Sequence, residues 1–103
     1  MSREPGKLNV FPLADERVMD VYRVTRSFPP EERFGLQAQL RRGAVPVPTN
    51  LVEGCTRRST KDSLHFVEMS LGSASEVRYL LRLAHRLGLM TSPDDALFGK
   101  PVL

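Results

Sequence analysis

The stretch TKDSLHFVEMSLGSASEVRYLLRLAHRLGLM, residues 60–90, decides the fold class. No proline interrupts it. Leu64, Val67, Leu71 and Ala74 make one stripe, continued by Val77, Leu81 and Ala84, at the alternating three- and four-residue spacing of a bundle seam. About thirty residues at a rise of 1.5 Å each predict a rod of roughly 45 Å. Ser59 ahead of it, with Asp62 three positions on, has the spacing of a reciprocal helix start. Midway lies Ser70-Leu71-Gly72-Ser73-Ala74-Ser75, a run that lowers helix propensity. Residues this small let another helix approach closely, and that packing role is the expectation.

Upstream the pattern stays helical. From Phe11, with Pro12 tolerable in a first turn, Ala14, Val18, Val21, Tyr22 and Thr25 recur at helical spacing, while Asp15, Glu16, Asp20, Arg23 and Arg26 take the other side. Phe28-Pro29-Pro30 stops that helix, because a proline ring blocks continuation and restricts the residue before it. Glu31 and Glu32 then suit the first turn of a second helix, where carboxylates complement the dipole. That helix carries Phe34, Leu36, Leu40 and Val45 before meeting Pro46 and Pro48. Each proline removes an internal hydrogen bond, so a sharp kink or a restart is expected near 46–50. Asn50 followed by Glu53 has capping-box spacing, which favours a restart there and a short second half ending around Arg57.

Downstream, Gly88 and Met90 lead into Thr91-Ser92-Pro93-Asp94-Asp95, and only Ala96-Leu97-Phe98 follow before Gly99 and Pro101. The chain therefore reads as an N-terminal arm (1–10), one helical bundle domain (11–90) and a short C-terminal tail or helix stub (91–103). The expected class is all-α: an up-and-down bundle of three long antiparallel helices, the second kinked, the fourth short or missing.

Composition narrows the function classes. A chain of 103 residues forms one domain that leaves much surface exposed, for which oligomerisation is a common remedy. No apolar run approaches the roughly 20 residues that span a bilayer. The opening MSREPGKLNVF lacks the apolar core of a secretory signal, so no membrane association and a cytoplasmic home are expected. The single cysteine, Cys55, allows no internal disulfide and no cysteine-based zinc site within one chain. The net charge is +3, and arginine supplies 12 of the 15 basic residues. Its planar fork suits phosphate and carboxylate.

Catalytic chemistry finds no foothold in the sequence. A nucleophile needs a base within reach, usually histidine. His65 and His85 lie twenty residues apart on one helix, pointing to roughly opposite sides, so they share neither a metal nor a proton relay. No glutamate has a histidine three residues later, as a di-iron bundle requires. Gly54 precedes Cys-Thr-Arg-Arg rather than a phosphate-loop lysine. No catalytic residue, metal or cofactor is therefore assigned. Two basic clusters remain as candidates for a nucleic-acid surface: Arg41 with Arg42 before the prolines, and Arg57, Arg58 and Lys61 after them. The competing reading pairs some of these with Glu53, Glu68 or Glu76 to set the bundle register. With no tryptophan, a base-stacking platform is missing, so contact should be to backbone or shape.

These residues also carry a resemblance. The run from Glu31 to Arg42 (EERFGLQAQLRR), then Val47-Pro48-Thr49-Asn50-Leu51-Val52-Glu53-Gly54, then Gly72-Ser73-Ala74-Ser75-Glu76, resemble the four-helix bundle proteins of the 23S ribosomal RNA intervening-sequence family. These are sometimes labelled ribosomal protein S23-like. Leu8, Val10, Phe11, Ala14, Val21, Tyr22, Phe28 and Pro29 fit the same pattern, and the likeness runs in order from about residue 8 to 90. Asn50, Glu53, Gly54, Gly72, Ser73 and Glu76 are its structural motif positions. The resemblance implies an up-and-down bundle assembled as a homopentamer. It also relates the chain to the accessory protein of diversity-generating retroelements, a basic pentameric barrel that binds nucleic acid and a reverse transcriptase. The chain departs from the family at Pro46, Thr49 and Val52, where small residues are common, and at Arg17, where an apolar residue is usual. Its fourth helix is largely absent.

The expectation is a non-enzymatic homo-oligomeric bundle with RNA or DNA as ligand. The alternative is an interaction scaffold for a cytoplasmic protein partner, with no nucleic acid involved.

Overall fold

In the computed structural model the described residues are 11–91. Within them the chain is all-helical, with α1 at Phe11–Thr25, a 3-10 turn at Pro30–Glu32, α2 at Leu36–Ala44, α3 at Pro46–Cys55 and α4 at Thr60–Arg86. The expected arm at 1–10 and all but the first residue of the tail at 91–103 lie outside the described residues. So does any fourth long helix.

The two prolines act as the sequence predicts, one position earlier. Val45 keeps helical dihedrals (φ −61°, ψ −41°) between α2 and α3, and Pro46 opens α3, where its missing N–H is no loss. The capping box at Asn50 does not form. Asn50 sits inside α3, its Nδ2 donating to the Pro46 carbonyl at 2.8 Å, and Glu53 instead takes Arg57 at 2.9 Å. With Val45 already helical, the chain has no extended residue for a side chain to cap.

Two other ends follow their local chemistry. Ser59 accepts from the Asp62 amide at 3.1 Å and caps α4 as its spacing predicts. At the far end Gly88 (φ 78°) takes the left-handed conformation, and paired bonds from Gly88 to His85 (3.0 Å) and Leu89 to Ala84 (2.9 Å) close the helix. Glu31 and Glu32, expected in the second helix, form the separate 3-10 turn. Glu32 then accepts from the Leu36 amide at 3.0 Å and starts α2.

Close approaches set the directions. Gly43 faces Val77, Ser70 meets Val47, and Gly54 faces Ser63, so the α2–α3 rod runs antiparallel to α4. Arg41 reaches Thr25, while Ala14 shares a cluster with Val47 and Leu51, so α1 runs antiparallel to the same rod. The result is three rods in a body 45 × 24 × 17 Å. The larger core joins Val21, Val24, Phe28, Leu36, Leu40, Ala44, Val77, Leu80, Leu81 and Ala84; a smaller one joins Ala14, Val47, Leu51 and Ala74.

The stripe on α4 needs correction in its first half. Leu64 and Leu71 are exposed, and the buried position there is Ser70, whose hydroxyl donates to the Val47 carbonyl at 2.7 Å. A hydroxyl with a backbone acceptor satisfies a buried site where a leucine side chain would not fit between closely approaching helices. On α1, Tyr22 is partly exposed and Arg17 is buried where an apolar residue was expected by resemblance. Its guanidinium pairs with Asp20 at 3.0 Å, while its Nε has no acceptor among the described residues.

Candidate nucleic-acid interface

The five cations singled out from the sequence do not form one patch. Arg41 and Arg42 are neighbours in the chain, but successive helix positions turn by about 100°. Arg41 points to α1: its Nε donates to Thr25 Oγ1 at 2.9 Å, and its guanidinium lies 4.6 Å from the Tyr22 ring centroid. The Thr25 hydroxyl donates in turn to the Val21 carbonyl at 2.7 Å. Arg41 is thus a tie between α1 and α2. Arg42 is exposed and turned away from α1, and with Gln39, Gly43, Pro46, Ser73 and Glu76 it lines a cleft between α2 and α4.

The second cluster sits at the α3–α4 corner, about 20 Å along the rod from Arg42. Arg57 there is committed as well. It pairs with Glu53 at 2.9 Å and covers the Phe66 ring at 4.4 Å. An arginine stacked on an aromatic ring and held by a carboxylate one turn back is a local clasp. The competing structural reading therefore holds for Arg57, through Glu53, and for Arg41 through a hydroxyl rather than a carboxylate. Arg42, Arg58 and Lys61 are exposed and form no ion pair with another described residue.

The motif residues divide in a similar way. A Cβ on Gly54 would stand 3.2 Å from the Ser63 carbonyl oxygen and 3.3 Å from Phe66 Cβ, so this glycine lets α3 and α4 meet at their turn. Ser63 Oγ donates to the Gly54 carbonyl at 2.8 Å and fastens that contact. Ser73 and Glu76 face α2 across the cleft by Gly43. Gly72 is different: nothing lies within 4 Å of where its Cβ would be. The small-residue run serves close packing at Ser70, Ser73 and Ala74, and leaves Gly72 open to solvent.

A third basic group lies outside the adjacent pairs. Arg78, Arg82 and Arg86 follow one another at four-residue steps on α4. Their four-residue spacing is legible in the sequence, but no two are adjacent in the chain as the pairs at 41–42 and 57–58 are. Of the two histidines, His65 is exposed with its ring edge-on to Phe66 at 5.5 Å, and His85 is half-buried on the same helix. Among the described residues no three His, Cys, Asp or Glu side chains are grouped to hold a metal ion. No helix among them is long and apolar enough to cross a membrane.

The described chain is thus an all-helical protein of three rods whose surface chemistry is arginine. Residues 6–98 match the family model described as 23S rRNA-intervening sequence protein, and the chain belongs to that family. A comparison with curated proteins returns no match.

Proposed function

We propose that this chain is a non-catalytic nucleic-acid-binding protein that works as a homo-oligomeric, up-and-down four-helix bundle, most simply a homopentamer in the cytoplasm. The observation that carries the reading is that Arg42, Arg58 and Lys61 stay exposed without acidic partners while Arg41 and Arg57 are absorbed by the fold. Cations that form no ion pair with another described residue are available to neutralise phosphates. Membership of a family named for an insertion in ribosomal RNA agrees with a nucleic-acid setting.

Assembly is supported by what one chain leaves uncovered. Met19, Phe34, Leu71, Tyr79 and Leu87 are all well exposed. Each further copy adds +3 to the assembly, so weak phosphate contacts gain from avidity.

The test is a titration of the chain with RNA and with DNA across salt concentrations, with light-scattering mass measured in parallel. Phosphate contacts give an affinity that falls steeply and linearly on a log–log salt plot. A chain that binds neither polymer at low salt overturns the nucleic-acid reading. A mass of one chain overturns the oligomer.

A second reading, a scaffold for a protein partner, is favoured by Phe34. This ring is 88% exposed on the link into α2, with the Arg33 guanidinium 5.8 Å from its centroid. An aromatic ring so placed is a common anchor at protein interfaces. Loss of assembly in Phe34→Ser would assign the ring to self-association and remove the support for a separate partner.

A further inference from the structure

Arg78, Arg82 and Arg86 stand one turn apart along the second half of α4. A four-residue step advances about 6 Å along a helix and turns about 40° around it, so the three form one gently winding row. Between Glu76 and Asp94 the sequence has no acidic residue. Arg78, Arg82 and Arg86 are thus the only formally charged side chains from residue 77 to residue 93.

The side chains are available. Arg82 and Arg86 are exposed; Arg78 is half-buried, and its Nε is buried without an acceptor among the described residues. None of the three forms an ion pair with another described residue, whereas Arg17, Arg23 and Arg57 each face a carboxylate. Like charges at four-residue spacing oppose one another on a helix, and only Arg86, in the last turn, is favoured by the dipole. The fold gains little from Arg82, which makes an external anion the better account of it.

The row is bordered on one side by small exposed residues, Gly72 and Ser75, and also by exposed Leu71 and Tyr79, which share its face of the helix. Two open clefts along α4 lie elsewhere, one beside Glu76 and one lined by Lys61, Leu64, His65 and Glu68. A row of forked cations suits a regularly charged backbone better than a peptide that must seat apolar side chains.

We infer that Arg78, Arg82 and Arg86 form the main phosphate-backbone track of this protein, contacting nucleic acid without reading its sequence, and that Arg58 and Lys61 add weaker phosphate contacts at its rim. This rests on the nucleic-acid reading above and names its surface.

The test measures binding of the full chain to a duplex RNA and a duplex DNA of matched length, from low to moderate salt, for Arg82→Gln/Arg86→Gln and for Arg58→Gln/Lys61→Gln. Both pairs are exposed, and helix content by circular dichroism checks the fold. The α4 pair should weaken binding about tenfold or more and lower the salt slope by about 2, equally for unrelated sequences. The corner pair should change affinity less than about threefold, as a rim charge does. Arg82→Lys/Arg86→Lys, which keeps the charge, should retain most of the binding. If the unmodified chain binds and the α4 pair leaves affinity and slope unchanged, the track is overturned while the nucleic-acid reading survives. If the unmodified chain binds neither duplex, both fall. If polyglutamate competes as well as nucleic acid does, the row is an acidic-protein site and the inference is wrong.

Discussion

The two halves of α4 belong to one unbroken helix and meet opposite demands. From Val77 onward, Leu80, Leu81 and Ala84 are buried against α1 and α2, and the outward side carries Arg78, Arg82 and Arg86. Before Val77, the buried positions are Ser70 and Ala74, and leucines at 64 and 71 stand in solvent. The second half is an ordinary amphipathic helix with an unbalanced charged face. The first half buries fully only small residues, with Val67 partly buried beside them. The difference follows from how closely the partners approach. Across from Ser70 and Ala74 stands α3, near enough for the Ser70 hydroxyl to reach the Val47 carbonyl at 2.7 Å and for Ala74 to pack with Val47 and Leu51.

This contrast can be broken by mutation. The largest effect is expected from Leu81→Ala, because Leu81 is 1% exposed at the centre of the main core. Truncating a buried leucine costs about 3 kcal/mol, readable as a lower midpoint in urea unfolding. Gly54→Val tests the other half. Its side chain would press on Ser63 and Phe66, and a loss of about 2 kcal/mol is expected from overpacking. If this variant is neutral, the close approach at the α3–α4 turn is not tight.

Smaller effects sharpen the comparison. Ser59→Ala removes the cap on the Asp62 amide and should cost about 1 kcal/mol, measurable in the same unfolding series. Leu71→Gln should change stability by no more than about 0.5 kcal/mol in a single chain, since this leucine is exposed. The same change will shift the light-scattering mass if Leu71 lies in a subunit contact. That pairing of outcomes separates a solvent face from an assembly face.

Some of this was plain in the residues. Pro29 and Pro30 end α1, Pro46 and Pro48 bend the second rod, and Ser59 starts α4, because each acts through its own backbone within a turn. The cap at Asn50 was legible and wrong: the motif was there, but the helix had already begun at Pro46. The seam on α4 was right from Ala74 onward and misplaced at Leu64 and Leu71, since apolar spacing does not say which stripe will face a close partner. The candidate site fared worse. Adjacent arginines drew attention to 41–42 and 57–58, yet Arg41 is spent on Thr25 and Tyr22, and Arg57 on Glu53 and Phe66. Glu53 lies one helical turn before Arg57, and that pairing was legible in the spacing; the partners of Arg41 lie 16 and 19 residues away in the chain, and no local pattern records them.

The sequence by itself determined that this protein is helical, where its rods break and that its charge is carried by arginine, because proline, capping and periodicity are short-range. Only the tertiary structure decided which arginines stay free. Thr25 and Tyr22 reach Arg41 from another rod, and Phe66 reaches Arg57 from another helix. No acid among the described residues comes to Arg82 or Arg86. A guanidinium becomes structural or available according to what the fold brings within a few ångströms of it.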